Sequence, residues 1–190
     1  MASTTARRAT AVAGCAVLGA ASVILGAAPA AASPGSRTVE GSAIASLTTP
    51  SGDLAVFLSL FDPPDRDAFA GVEIFGSIAT SSFECFEGPP IDATLNRLKD
   101  AEAEGSTTLL CGGPELPNDV LGYVEVDVEW DAFGPVSHDR FSSDGCRVTT
   151  AIRQAEVTGR VTVRIPALDI DAYLPEGFGD LRRTTSICRD

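Results

Sequence analysis

The sequence predicts an all-β protein, an antiparallel β-sandwich of Greek-key or jelly-roll-like form, with about eight short strands and at most one short helix. Three observations predict it. The first is Tyr123-Val-Glu-Val-Asp-Val-Glu-Trp-Asp131, where Val124, Val126, Val128 and Trp130 alternate with Glu125, Asp127, Glu129 and Asp131. Successive side chains on a strand point to opposite faces, so this stretch is a strand with one apolar and one acidic side. The second is the recurrence of alternating segments separated by Gly/Pro-rich turns along most of the chain. The third is the absence of βαβ alternation, which excludes a doubly wound parallel sheet.

The elements follow in order. Residues 38–47 set Val39, Gly41, Ala43, Ala45 and Leu47 against Glu40, Ser42, Ile44 and Ser46, a first strand. Pro50-Ser-Gly-Asp53 turns the chain. Residues 54–61 are apolar on both parities except at Ser59, which predicts cover on both faces. Asp62-Pro-Pro-Asp-Arg-Asp67 cannot continue a strand and reads as a loop. Residues 72–79 and 82–87 are strand-like, as two strands or one bent one, and Gly88-Pro-Pro90 ends them.

Residues 92–104 form the single candidate helix, with Asp92 placed to cap it and Leu95 and Leu98 on one face. Lacking a broad apolar stripe, they read equally as a surface loop. Residues 107–111 are a short strand closed by Gly112-Gly-Pro114, and 120–130 is the two-faced strand. A loop is expected over 134–145. Residues 146–157 then place Cys146, Val148, Thr150 and Ile152 inward with Arg147 and Arg153 outward. Residues 160–165 continue the alternation with Arg160 and Arg164 outside, and 181–189 is the last strand.

The first 32 residues read as a secretory leader. Arg7 and Arg8 precede an apolar run from Ala9 to about residue 28, and Ala30, Ala31 and Ala32 supply the small-residue exit before Ser33. Val12-Ala-Gly-Cys15 resembles a lipobox, but it follows Arg8 too closely to leave an apolar core before the cysteine. No second apolar run reaches membrane-spanning length. The expected organisation is therefore a leader over 1–32 and one secreted, extracellular domain over 33–190, a usual domain size.

All 26 acidic residues but only 12 of the 14 basic ones fall in 33–190, a net charge of −14. Such a surface repels phosphate backbones and anionic lipid, which excludes nucleic-acid binding as a function class. It is compatible with cationic partners and hard metal ions. Four cysteines remain in the domain, Cys85, Cys111, Cys146 and Cys188. An even count in a secreted chain reads as two disulfides with three possible connectivities. Cys85–Cys111 and Cys146–Cys188 are favoured, because each closes a moderate loop between strands. A structural zinc is disfavoured, with no Cys-x-x-Cys and a single histidine.

Two resemblances concern the acidic strand. Val124 to Pro135, followed by Phe141, Cys146, Arg153, Ala155 and Gly159, resembles a group of small secreted bacterial proteins, mostly actinobacterial. Their shared pattern is V-x-V-x-W-x-A-x-G-P, a cysteine, then R-x-A-x-x-x-G. The likeness covers about 40 residues and implies one small secreted β domain without bringing an activity. Glu125-Val-Asp-Val-Glu129 is also similar to the Glu-x-Asp-x-Glu signature of glycoside hydrolase family 16, the jelly-roll glucanases. That likeness implies Glu125 as nucleophile, Glu129 as acid/base and Asp127 as the residue tuning them. A sugar cleft wants stacking aromatics, however, and this chain has one Trp and two Tyr, with Trp130 on the opposite face.

Two further readings of the acids compete, and a third places function elsewhere. The strand is a solvated face balanced by Arg147, Arg153, Arg160 and Arg164 on later strands. Alternatively Asp127 and Glu129, or Asp62, Asp65 and Asp67, supply oxygen ligands to calcium, though no EF-hand spacing is present. A proteinase-inhibitor loop would have to sit at Gly112-Gly-Pro114, braced by Cys111. His138 is the only histidine and lacks the positioned serine of a hydrolytic triad. No cofactor motif appears. The expected function is a non-catalytic binding or surface-interaction module for an extracellular ligand or protein.

Overall fold

The strands form because apolar side chains recur every second residue, and they pair with their sequence neighbours because the intervening turns are short. The computed structural model describes residues 36–78, 81–114, 116, 120–143 and 145–188. The leader expected over 1–32 lies outside the described residues. The strands are β1 (Arg37–Thr48), β2 (Leu54–Asp62), β3 (Phe69–Ile78), β4 (Ser81–Phe86), β5 (Ile91–Asn96), β6 (Asp100–Gly112), β7 (Val120–Ala132), β8 (Ser137–Ser143), β9 (Cys146–Ile165) and β10 (Ile170–Cys188). A 3₁₀ turn, Pro166–Leu168, joins the last two.

All pairings are antiparallel, as the sequence predicts, and they form one ladder in the order β10-β1-β2-β3-β4-β6-β7-β9. β9 then pairs back with β10, so the ladder closes on itself. Facing halves of this single sheet pack on each other as the two layers of a sandwich would. The path is up-and-down: neighbours in sequence are neighbours in space, with no Greek-key return.

Two positions in the ring are each filled by two strands. β4 pairs the far part of β3 and residues 110–112 of β6, while β5 pairs Phe69 and Ala70 of β3 and residues 100–104 of β6. β7 pairs residues 155–164 of β9, and β8 takes residues 146–152 of the same edge. The ring thus has eight strand positions, a number whose interior side chains alone can fill. Trp130, Leu47, Leu58, Leu60, Ile74, Leu109, Ile165, Leu174 and Leu181 are fully buried there. The Trp130 indole N–H donates to the Ile44 carbonyl at 3.1 Å, satisfying its one polar group.

Both favoured disulfides are present, Cys85–Cys111 and Cys146–Cys188, each with Cα atoms 3.9 Å apart. Each joins directly opposed residues of neighbouring strands.

Several expectations are corrected. Residues 92–104 are neither helix nor loop but the β5–β6 hairpin, turned at Arg97 in the left-handed region (φ 55°). Ile91, Ala93 and Leu95 alternate with Asp92, Thr94 and Asn96, and Ala101 and Ala103 with Asp100, Glu102 and Glu104. Tertiary pairing overrides the helical propensity of Ala and Glu. The 134–145 loop contains β8, a fully exposed edge strand with no apolar face to announce it. The bent strand is two strands, β3 and β4.

Residues 54–61 are buried on one face only. Phe57 and Phe61 stand on the outer wall against Phe75 and Phe69, with centroids 5.4 and 5.5 Å apart. Arg153 shares the inward parity of Ala155 and Val157 at the end of the ring, where it donates to the carbonyls of Leu98 (3.2 Å) and Gly134 (3.1 Å). The last strand begins at Ile170 rather than 181, its pairing shifted at Pro175, which has no N–H to give the ladder.

Candidate functional site: an acidic outer wall and its cleft

β7 alternates strictly between buried and exposed positions. Val124, Val126, Val128 and Trp130 enter the core, and Glu125, Asp127, Glu129 and Asp131 face outward, as expected. The β6 outer face, hidden from sequence reasoning by the helix-or-loop interpretation, carries Asp100, Glu102 and Glu104. The register brings the two rows together. Asp100 opposes Asp131, Glu102 opposes Glu129, and Glu104 opposes Asp127. Asp92 of β5 flanks Glu104 from the other side, and Glu156 of β9 flanks Asp131.

Five like-charge pairs therefore stand directly opposite one another across four strands. Arg160, opposite Asp127, is the cation at the edge of this wall. Among the described residues the ion pairs are Arg164–Asp171 (3.7 Å) and Arg182–Asp180 (2.5 Å), and neither involves these carboxylates. The Asp180 hydrogen bond raises the Arg182 guanidinium further above its ordinary range. Of the four arginines expected to balance the row, Arg160 opposes Asp127 and Arg164, on the same β9 face, is diagonal to Glu125. Arg153 is spent on carbonyls, Arg164 opposes Tyr123, and Arg147 opposes Ser142 and Ile187.

The pattern residues of the actinobacterial resemblance are spread along β7, β8 and β9, and several of them touch. Ala132 opposes Ala155, and Arg153 donates to the Gly134 carbonyl. Gly159 passes under β7 with φ 129°, where a Cβ would strike the Asp127 carbonyl. These contacts hold β7 against β9 and give Ala132, Gly134, Arg153, Ala155 and Gly159 a packing role.

A cleft of about 340 Å³ opens at one end of the acidic row, lined by Pro89, Ser106, Thr107, Thr108, Tyr123, Val124 and Glu125. It arises where β4 has ended and β5 has not begun. The connection through Gly88 and Pro89 crosses β6 there, and Thr107 donates to the Pro89 carbonyl at 2.7 Å. Glu125 reaches this cleft; Asp127 and Glu129 do not line it. Glu125 and Glu129 are two pleats apart, about 13 Å along the strand. A retaining glycosidase holds its carboxyls about 5–5.5 Å apart, which here would require both side chains to lean over Asp127.

Among the described residues no group of three or more His, Cys, Asp or Glu side chains converges as a metal cage. Asp62 ends β2, and Asp65 and Asp67 are exposed in the following loop, which Arg66 ties down by lying 4.6 Å over the Phe69 ring. His138 and Asp139 are adjacent on β8, opposite Ala151 and Thr150, and so on different faces. Gly112 ends β6 beside Cys111, and Gly113 is packed against the β4 backbone at Ser82 and Phe83. No described helix is long and apolar enough to cross a membrane. Comparison with protein-family models, with curated proteins and with solved structures finds no match to this chain.

Proposed function

We propose that this chain is a secreted, non-catalytic binding module whose contact surface is the outer wall of β5, β6, β7 and β9, and whose partner is cationic. One observation carries the reading: the five directly opposed carboxylate pairs on that wall. Opposed like charges destabilise a sheet, and a wall selected only for solubility is free to stagger them or interleave cations. A cationic partner removes that repulsion on binding and gains encounter rate from the field of the row. The filled interior supports the same reading, since it leaves the outer walls as the surface for recognition. Membership of the secreted actinobacterial group belongs to this proposal, as does export through the leader.

The test is selection from a random peptide-display library on the 33–190 domain and on its Glu104→Gln/Glu129→Gln/Asp131→Asn variant, which relieves all five pairs. Enrichment of basic sequences on the parent and its loss on the variant is expected. Equal enrichment on both overturns the reading. Release of reducing sugar from β-glucan, abolished by Glu125→Gln, would replace binding with hydrolysis.

A further inference from the structure

Resting on that reading, we infer that the Glu125 cleft is a specificity pocket for a single basic side chain, an arginine in an extended peptide that also carries an apolar residue, separated from the arginine by about three others, lying on Phe86, Leu110 and Leu121. The cleft and the apolar row are independent features of one wall. Phe86 of β4 opposes Leu110 of β6, which opposes Leu121 of β7. These three are 39%, 39% and 43% exposed, an apolar row crossing three strands without cover. Tyr123, 46% exposed, stands one pleat further along β7, between that row and Glu125.

The lining of the cleft selects its occupant. Ser106, Thr108 and Tyr123 bring hydroxyl groups, Tyr123 adds an aromatic ring, Glu125 adds one carboxylate, and Pro89 forms an apolar rim. Ring, carboxylate and hydroxyl acceptors together suit a planar cation, which stacks on the ring and gives its N–H groups to oxygen. The Thr107 hydroxyl is already committed to Pro89 and serves to hold the rim. The directly opposed neighbours of Glu125 are Ser106 and Thr162; Arg160 and Arg164 of β9 stand diagonal to it, Arg160 opposite Asp127 and Arg164 paired with Asp171. An anionic ligand would meet the field of Asp127, Glu104 and Glu129 next to the opening. Glu125 and Leu121 lie four residues apart, about 13 Å, the span of about four extended peptide residues. The structure therefore fits arginine and a large apolar residue separated by about three others.

The probe is acetyl-Leu-Gly-Ser-Gly-Arg-amide, titrated into the isotope-labelled 33–190 domain and followed by amide chemical shifts. Saturable shifts at Ser106, Thr108, Tyr123 and Glu125 are expected, with smaller ones at Leu110 and Leu121. Replacing arginine by citrulline, which keeps shape and removes charge, should weaken binding at least about tenfold, as should Glu125→Gln in the protein. Equal affinity of the Glu125→Gln protein overturns the pocket. So do shifts spread over Glu102, Asp127 and Glu129 that leave the cleft untouched, although that result keeps the acidic wall as the contact surface. No shift at millimolar peptide overturns the pocket too, and the display selection then decides whether the wall binds at all.

Discussion

Neutralising the acidic wall should stabilise the protein, and the size of the effect follows from the strand register. Glu104→Gln removes the repulsions with Asp92 and Asp127, Asp131→Asn those with Asp100 and Glu156, and Glu129→Gln that with Glu102. Opposed side chains put such carboxylates about 6 Å apart, where two charges repel by about 0.7 kcal/mol in water and about 0.3 kcal/mol at physiological salt. Five pairs then amount to about 1.5 kcal/mol, or about 3–6 °C in Tm for a domain of this size. Repulsion along each strand largely cancels, because an extended unfolded chain keeps the same spacing. The assay is thermal unfolding by circular dichroism at low and at high sodium chloride. The parent should gain Tm as salt screens the wall, and the triple variant should begin higher and gain less. A variant that melts at or below the parent, with the same salt dependence, would refute the reasoning. A variant that melts higher than the parent and yet fails to bind peptide would not owe that loss to unfolding.

Four further outcomes are expected. Trp130→Phe leaves about 40 Å³ empty and the Ile44 carbonyl without its donor, together about 2 kcal/mol; urea unfolding should be followed by circular dichroism, since the only tryptophan is lost. Gly159→Ala forces a side chain against the Asp127 carbonyl at φ 129°, and should cost about 3 kcal/mol or more and lower Tm by more than about 6 °C. Cys146→Ser/Cys188→Ser opens a loop of sequence separation 42, for which chain entropy gives about 4 kcal/mol, slightly more than the Cys85–Cys111 pair with separation 26. Tm in millimolar calcium and in chelator should agree within about 1 °C, whereas a site saturated 100-fold over its dissociation constant would add about 2.7 kcal/mol.

The β7 faces, the all-β class and both disulfides were legible because each is written in local alternation or in cysteine count. β7 is the clearest case: large apolar residues on one parity and carboxylates on the other leave no competing reading. The β5–β6 hairpin carries the same alternation in a quieter form. Its inward residues at 101 and 103 are alanines, which mark a core face weakly, and its outward glutamates favour helix as much as strand. Missing that hairpin hid half of the acidic wall, because Glu102 and Glu104 become neighbours of Glu129 and Asp127 only through pairing. The cleft at Glu125 was illegible for a related reason. It depends on where β4 stops, where β5 starts and what crosses between them. Arg153 misled in the opposite way: its charge suggested the outer face, while two carbonyls at the end of the ring hold it on the inner parity.

The closed ring also bears on how the chain acquires its fold. Arg37 pairs with Ile187, so β1 has no partner on that side until β10 has been synthesised. Contacts of such long sequence separation make loop closure the slow event and confine folding to the full-length domain. If the chain is exported as proposed, this delay would keep it threadable until its last strand has followed. The Cys146–Cys188 bond then forms within the final hairpin, where it locks β9 to the strand that completes the ring.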